Sequence, residues 1–211
     1  MVLTTQELKG LFSIWAEKMC ENRDYLIDLD SIVGDGDLGL TMSDGFTAAA
    51  KSAQENESND IGNLFYFAGK AMSVAVPSTM GTLMASGLME IGKNLKKQTE
   101  LELYQIGMIF EFYMNGVMLR GKAKIGDKTF IDAFYPAVKV LKSASIDSNM
   151  TDVLADAANA AVEGARNTTT MIAVHGRAAI RGEQSRSLLD PGAVVAKLLV
   201  EAANKYLISI L

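Results

Sequence analysis

The stretch Asp30-Ser31-Ile32-Val33-Gly34-Asp35-Gly36-Asp37 puts three carboxylates close together, the last two separated by a single glycine. Like charges at short range repel and raise one another's pKa. A fold tolerates such a group best when a cation neutralises it. Magnesium suits the role, since it prefers hard oxygen ligands and commonly uses a few carboxylates together with substrate phosphates. Gly34 and Gly36 let the backbone turn sharply, so that alternate side chains converge. The plainer alternative is an exposed Gly-Asp turn ahead of a helix, with Asp37 as its N-cap. A calcium loop is a weaker rival, because the Asp-x-Asp-x-Asp-Gly spacing and distal Glu of an EF-hand are missing.

Other polar breaks place Gly beside Asp, Ser, Thr or Arg: Ser78 to Thr82, Gly121 to Thr129, and Gly176 to Gly192. Backbone N–H groups at Ser78 to Gly81 open a helix and suit a phosphate. Asp190-Pro191-Gly192 reads as a helix entry, with Asp190 as N-cap and Pro191 in the first helical position. Arg177 taken alone reads as a surface cation. Lys122 and Lys128 are read as solvated and outside the site. The only histidine, His175, is assigned a structural role.

The elements that must position these residues follow from apolar spacing. Stripes at helical period run Leu8 to Met19, Leu64 to Ala75, Met84 to Leu95, Leu103 to Val117, Ile131 to Leu141, Val153 to Val162 and Val195 to Ala202. A less regular helix spans about Leu38 to Ala53. Strand patterning is almost absent. Eight helices with short connections predict an all-α fold, an antiparallel bundle or closed barrel, in one domain over residues 1–211. Hydrophobic residues make up 49% of the chain, enough for a sizeable core, and Ala and Met favour helix.

Net charge is −5, which argues against general nucleic-acid binding. The lone Cys20 forms no internal disulfide and fits a reducing cytoplasm. Met1 to Gly10 lacks a basic region followed by an apolar run, so no secretory signal is expected. No stretch is apolar enough for a membrane span.

Asp30, then Gly34-Asp35-Gly36-Asp37 followed by Gly39 and Met42, resembles the opening motif of the dihydroxyacetone kinase L subunit and its kinase-domain relatives. Arg120-Gly121-Lys122-Ala123 with Gly126-Asp127-Lys128-Thr129 and Asp132-Ala133 resembles the second motif. The third is matched by Gly176-Arg177-Ala178, Gly182-Glu183-x-Ser185 and Asp190-Pro191-Gly192-Ala193. The ordered set covers Asp30 to Ala193. Departures are Leu38 and Leu188 where relatives carry His, and Pro77-Ser78-Thr79-Met80-Gly81 in place of a Gly-Gly-x-Ser-Gly turn.

The resemblance implies an eight-helix barrel with a nucleotide, ADP or ATP, at one end. Asp30, Asp35 and Asp37 would hold two magnesium ions bridging the phosphates. Leu38, Gly39, Leu40 and Thr41 would contact phosphate, as would Thr79 and Met80. Gly121 and Phe130 would flank the adenine, and Arg177 with Asp190-Pro191-Gly192 would close the pocket. Asp30, Asp35, Asp37 and Arg177 would be the catalytic set. The resemblance also implies a homodimer in the cytoplasm and a separate K subunit holding dihydroxyacetone or a similar keto sugar. The donor is either a phosphotransferase-system protein that recharges bound ADP or free ATP. A non-catalytic, nucleotide-bound regulatory role, a plain helical interaction protein, and a magnesium-dependent phosphatase or lipid-type kinase remain as rivals.

Overall fold

A computed structural model describes all residues, Met1–Leu211. Nine α-helices follow one another: α1 (Thr5–Glu21), α2 (Arg23–Val33), α3 (Leu38–Glu55), α4 (Ile61–Ala75), α5 (Thr79–Asn94), α6 (Ile106–Gly121), α7 (Phe130–Lys142), α8 (Met150–Asn167) and α9 (Pro191–Ser209). Eight of them carry the expected apolar stripes. The ninth, α2, was not expected, because Leu26 and Val33 are its only buried residues and its apolar face is thin. A short antiparallel pair, β1 (Val2–Thr4) with β2 (Glu100–Glu102), buries Leu3 and Leu101 opposite each other.

Most helix starts have a local cause. Thr4 and Glu7 form a capping box at α1, and Thr129 and Asp132 form one at α7. Asp60, Ser78, Asn149 and Asp190 each accept a backbone N–H in the first turn of α4, α5, α8 and α9.

Packing neighbours run α1–α3–α4–α5–α6–α7–α8–α9 and return to α1, a closed ring from which only α2 is excluded. The seam between first and last helices is hydrogen-bonded as well as apolar. Trp15 Nε1 donates to the Leu199 carbonyl at 3.0 Å, and the Tyr206 hydroxyl donates to the Glu7 carbonyl at 2.7 Å. One continuous cluster of 54 buried apolar residues, with side chains from every helix, fills the ring. A small cavity among Trp15, Phe46, Phe110, Tyr113 and Phe134 measures about 10 Å³, room for a water at most. The lumen around it is filled by side chains. No helix is long and apolar enough to cross a membrane.

Candidate functional site

Asp30 lies on the last turn of α2, and Gly34 to Asp37 link α2 to α3. The Asp30 carbonyl accepts the Gly34 N–H at 2.5 Å, and its carboxylate accepts the Gly36 N–H at 2.9 Å. Gly36 sits at φ +74°, a left-handed conformation that L side chains rarely adopt. The tight turn brings one carboxylate oxygen each of Asp30, Asp35 and Asp37 within 4.8 Å of one another. Burial, then the charges of Asp35 and Asp30, hold the Asp37 carboxyl above the usual carboxylate range, and Arg177 offsets this only in part.

The plainer reading of this turn is met in part, since Asp35 and Asp37 are exposed. Asp37 occupies the N-cap position of α3 but makes no capping hydrogen bond. Its carboxylate is turned toward the other two. The first N–H groups of α3, at Leu38, Gly39 and Leu40, have no intrahelical acceptor by construction, and the Asp37 side chain supplies none.

Three more helices begin at the same pole. Thr41 Oγ1 lies 3.4 Å from Ser78 Oγ, tying the start of α3 to that of α5. A Cβ placed on Gly192 would lie 3.3 Å from the Phe130 nitrogen and 3.7 Å from Met80 Cε, so the starts of α5, α7 and α9 converge. The N-termini of α3, α5, α7 and α9 thus ring one end of the barrel, and their partial positive charges favour an anion there. Of these four starts, only that of α3 lacks a capping side chain. Thr79 is exposed on the first turn of α5, and Gly121 closes α6 against Leu83 of α5.

Three residues expected to contact the nucleotide are buried. Leu38 is 6% exposed and points into the core, so only its backbone borders the acidic turn. Gly39 is glycine because α2 packs on it: a Cβ there would stand 2.0 Å from the Arg23 carbonyl. The Phe130 ring is buried and stacks on Phe134 with centroids 4.8 Å apart, so its backbone, not its ring face, lies toward the start of α9.

Between α8 and α9 the chain crosses this pole as a strap with 3₁₀ turns at Thr168–Thr170 and Arg177–Ser185. Arg177 pairs with Asp35 at 2.5 Å, and Arg181 donates to the Ile32 carbonyl. His175 Nε2 lies 2.9 Å from Asp127 Oδ2, which accords with a structural role for this histidine. Lys128, expected in solvent, is 3% exposed, and its ammonium lies beneath the strap. Carbonyls 40 to 60 residues further along the chain make that burial tolerable, with help from the charge of Asp190. No local sequence feature signals this. Burial pushes the half-buried Asp190 carboxyl up to about 7, against the pull of its Ala193 hydrogen bond and Lys128.

Fold and site together define a closed helical barrel with an acidic turn set among helix starts. The chain belongs to the DAK2 domain family, whose model matches residues 32–205. It is 36% identical over 186 residues to the ADP-binding subunit DhaL of PEP-dependent dihydroxyacetone kinase 2 from Listeria innocua, covering 85% of this chain and 84% of that one. It is 31% identical to the corresponding ADP-binding subunit DhaL from Escherichia coli, covering 84% of this chain and 85% of that one. The crystal structure of the dihydroxyacetone kinase of C. freundii superposes with a TM-score of 0.73 at 23% identity, covering 93% of this chain and 34% of that one. That likeness is one of fold, and this chain spans about a third of that kinase.

Proposed function

We propose that this chain is the nucleotide-binding subunit of a dihydroxyacetone-type kinase. The observation that carries this is the convergence of Asp30, Asp35 and Asp37 within 4.8 Å beside the uncapped start of α3. The donor set is three hard oxygens of one sign with a single nearby arginine, and it fits a divalent cation. Magnesium ions, two in this reading, would be held by these aspartates, and when bound would neutralise the charge of the nucleotide phosphates. The relatives' names, which give an ADP-binding subunit of a PEP-dependent kinase, support ADP as the resident nucleotide.

Phosphoryl transfer asks a protein mainly for positioning and charge complementarity. In this reading the N–H groups of Leu38 to Leu40 and of Thr79 and Met80 orient the phosphate tail. Gly121 and the Phe130 backbone border the base. Arg177 and the Asp190-Pro191-Gly192 turn shut the pocket against water. The terminal phosphoryl group leaves the β–γ bridging oxygen of ATP and joins a hydroxyl oxygen of dihydroxyacetone or a similar keto sugar. That hydroxyl would pass its proton to water or to a base of the K subunit, and ADP would stay behind. The sugar is held on a separate K subunit, and a phosphotransferase-system protein regenerates ATP in place, in the cytoplasm.

Native mass spectrometry of the protein purified in magnesium tests the resident nucleotide; a mass increment equal to ADP is expected. Mixed with a K subunit and a phosphotransferase donor, the chain should support formation of dihydroxyacetone phosphate. Bound ADP without turnover would leave the regulatory reading in its place.

A further inference from the structure

The strap from Thr168 to Leu188 holds no α-helix, only 3₁₀ turns, and has many exposed residues, yet it carries Arg177 to Asp35. Something must hold it. Lys128 supplies the largest single set of contacts. Its ammonium shares three N–H donors among four carbonyls, those of Leu188 at 2.5 Å, Thr168 at 2.6 Å, Arg186 at 3.2 Å and Met171 at 3.3 Å. The two shortest bonds go to the two ends of the strap, so the lysine pinches its base closed.

No carboxylate lies within salt-bridge distance of this ammonium; the cation sits in a cage of carbonyl dipoles. An ammonium has three protons and no preferred plane, which suits several convergent acceptors better than a guanidinium fork would. The arrangement carries a backbone cost as well. Lys128 adopts φ +60°, a left-handed conformation uncommon outside glycine. Burial also lowers its pKa. A buried Ser185 hydroxyl adds a second internal post, accepting from the Ala173 N–H at 2.9 Å and donating to the Gly182 carbonyl at 2.6 Å.

We propose that Lys128 is a positioning residue that pins the base of the Thr168–Leu188 strap, keeps Arg177 over the acidic turn, and so sets how long bound nucleotide is retained. The retention part rests on the reading under Proposed function; the pinning part does not. Lys128 makes no hydrogen bond to the acidic turn; its side chain bonds only to the strap.

Lys128→Met keeps the apolar stem and removes the donors. In the whole protein it should leave the helical circular dichroism intact. Trypsin cleavage at Arg177, Arg181 and Arg186, mapped by mass spectrometry, should accelerate by about tenfold or more, because proteolysis follows the population of the opened segment. Dissociation of ADP in magnesium should accelerate to a similar degree. Arg177→Ala should speed dissociation in the wild-type background and add little in Lys128→Met, since both act on the same contact. Unchanged cleavage and dissociation in Lys128→Met, or an Arg177→Ala effect of the same size in both backgrounds, would overturn the proposal. If Lys128→Met does not fold, Lys128→Arg serves: its planar fork cannot match the cage, so faster cleavage supports the pin and wild-type cleavage refutes it. A wild-type protein that binds no ADP would sink the nucleotide reading alone, and the cleavage rates would still decide the pin.

Discussion

Asp37→Asn separates the cost of the acidic turn from its use. Without a cation, Asp37 sits within 4.8 Å of both Asp30 and Asp35, and its only nearby positive group is Arg177 on Asp35. At that distance two unit charges repel by about 0.9 kcal/mol in a water-like dielectric and about 3.5 kcal/mol at an effective dielectric of 20. Asp37 is only slightly buried and remains largely exposed, so the water-like figure applies. Two such repulsions less the attraction of Arg177 leave about 1 kcal/mol. Removing the charge should therefore stabilise the metal-free protein by about 1 kcal/mol, raising Tm by about 2–4 °C for a chain of this size. In magnesium with ADP at about a hundred times its Kd, the wild type should gain about 2.7 kcal/mol, some 5–10 °C, and the variant close to nothing. Differential scanning fluorimetry of both proteins, in chelator and then in magnesium with ADP, reads all four values. A variant that is less stable in chelator, or that keeps the full ligand-induced shift, would refute the reasoning.

The Asp190 carboxyl titrates near 7 in the fold against an ordinary 3.8. A raised folded pKa stabilises the protein fully below about pH 4 and loses that contribution as pH climbs through 7. Asp190→Asn keeps a capping oxygen for Ala193 and should flatten the fall in Tm between pH 4 and pH 8, measured in chelator. Gly39→Ala would set a Cβ 2.0 Å from the Arg23 carbonyl and 2.7 Å from Ile27 Cγ1. It should push α2, and Asp30 with it, off α3, costing about 1–3 kcal/mol in urea unfolding and weakening ADP binding in calorimetry. Ser78→Ala removes the cap of α5 and should lower Tm by about 2–4 °C, a loss of about 1 kcal/mol.

The sequence exposes the acidic turn because Asp30, Asp35 and Asp37 are close along the chain, and a glycine-rich turn leaves few ways to keep them apart. Eight helices are legible because their apolar faces recur at helical period over many residues. α2 escapes that test: it buries only Leu26 and Val33 and leans on α3 through Gly39. β1 and β2 are three residues each, too short for alternation to register. Lys128 reads as a solvated lysine because charge normally stays in water. Its burial depends on carbonyls of the strap between α8 and α9, which only tertiary structure brings to it. For the same reason the stacking of Phe130 on Phe134 and the inward turn of Leu38 appear only once the ring of helices closes.

Titration calorimetry of ADP into the protein, once in magnesium and once in excess chelator, bears on the cation-bridged nucleotide most directly. A saturable heat with magnesium that vanishes in chelator is the result this structure leads us to expect. Equal ADP affinity in the two buffers, or no binding in magnesium, would contradict it.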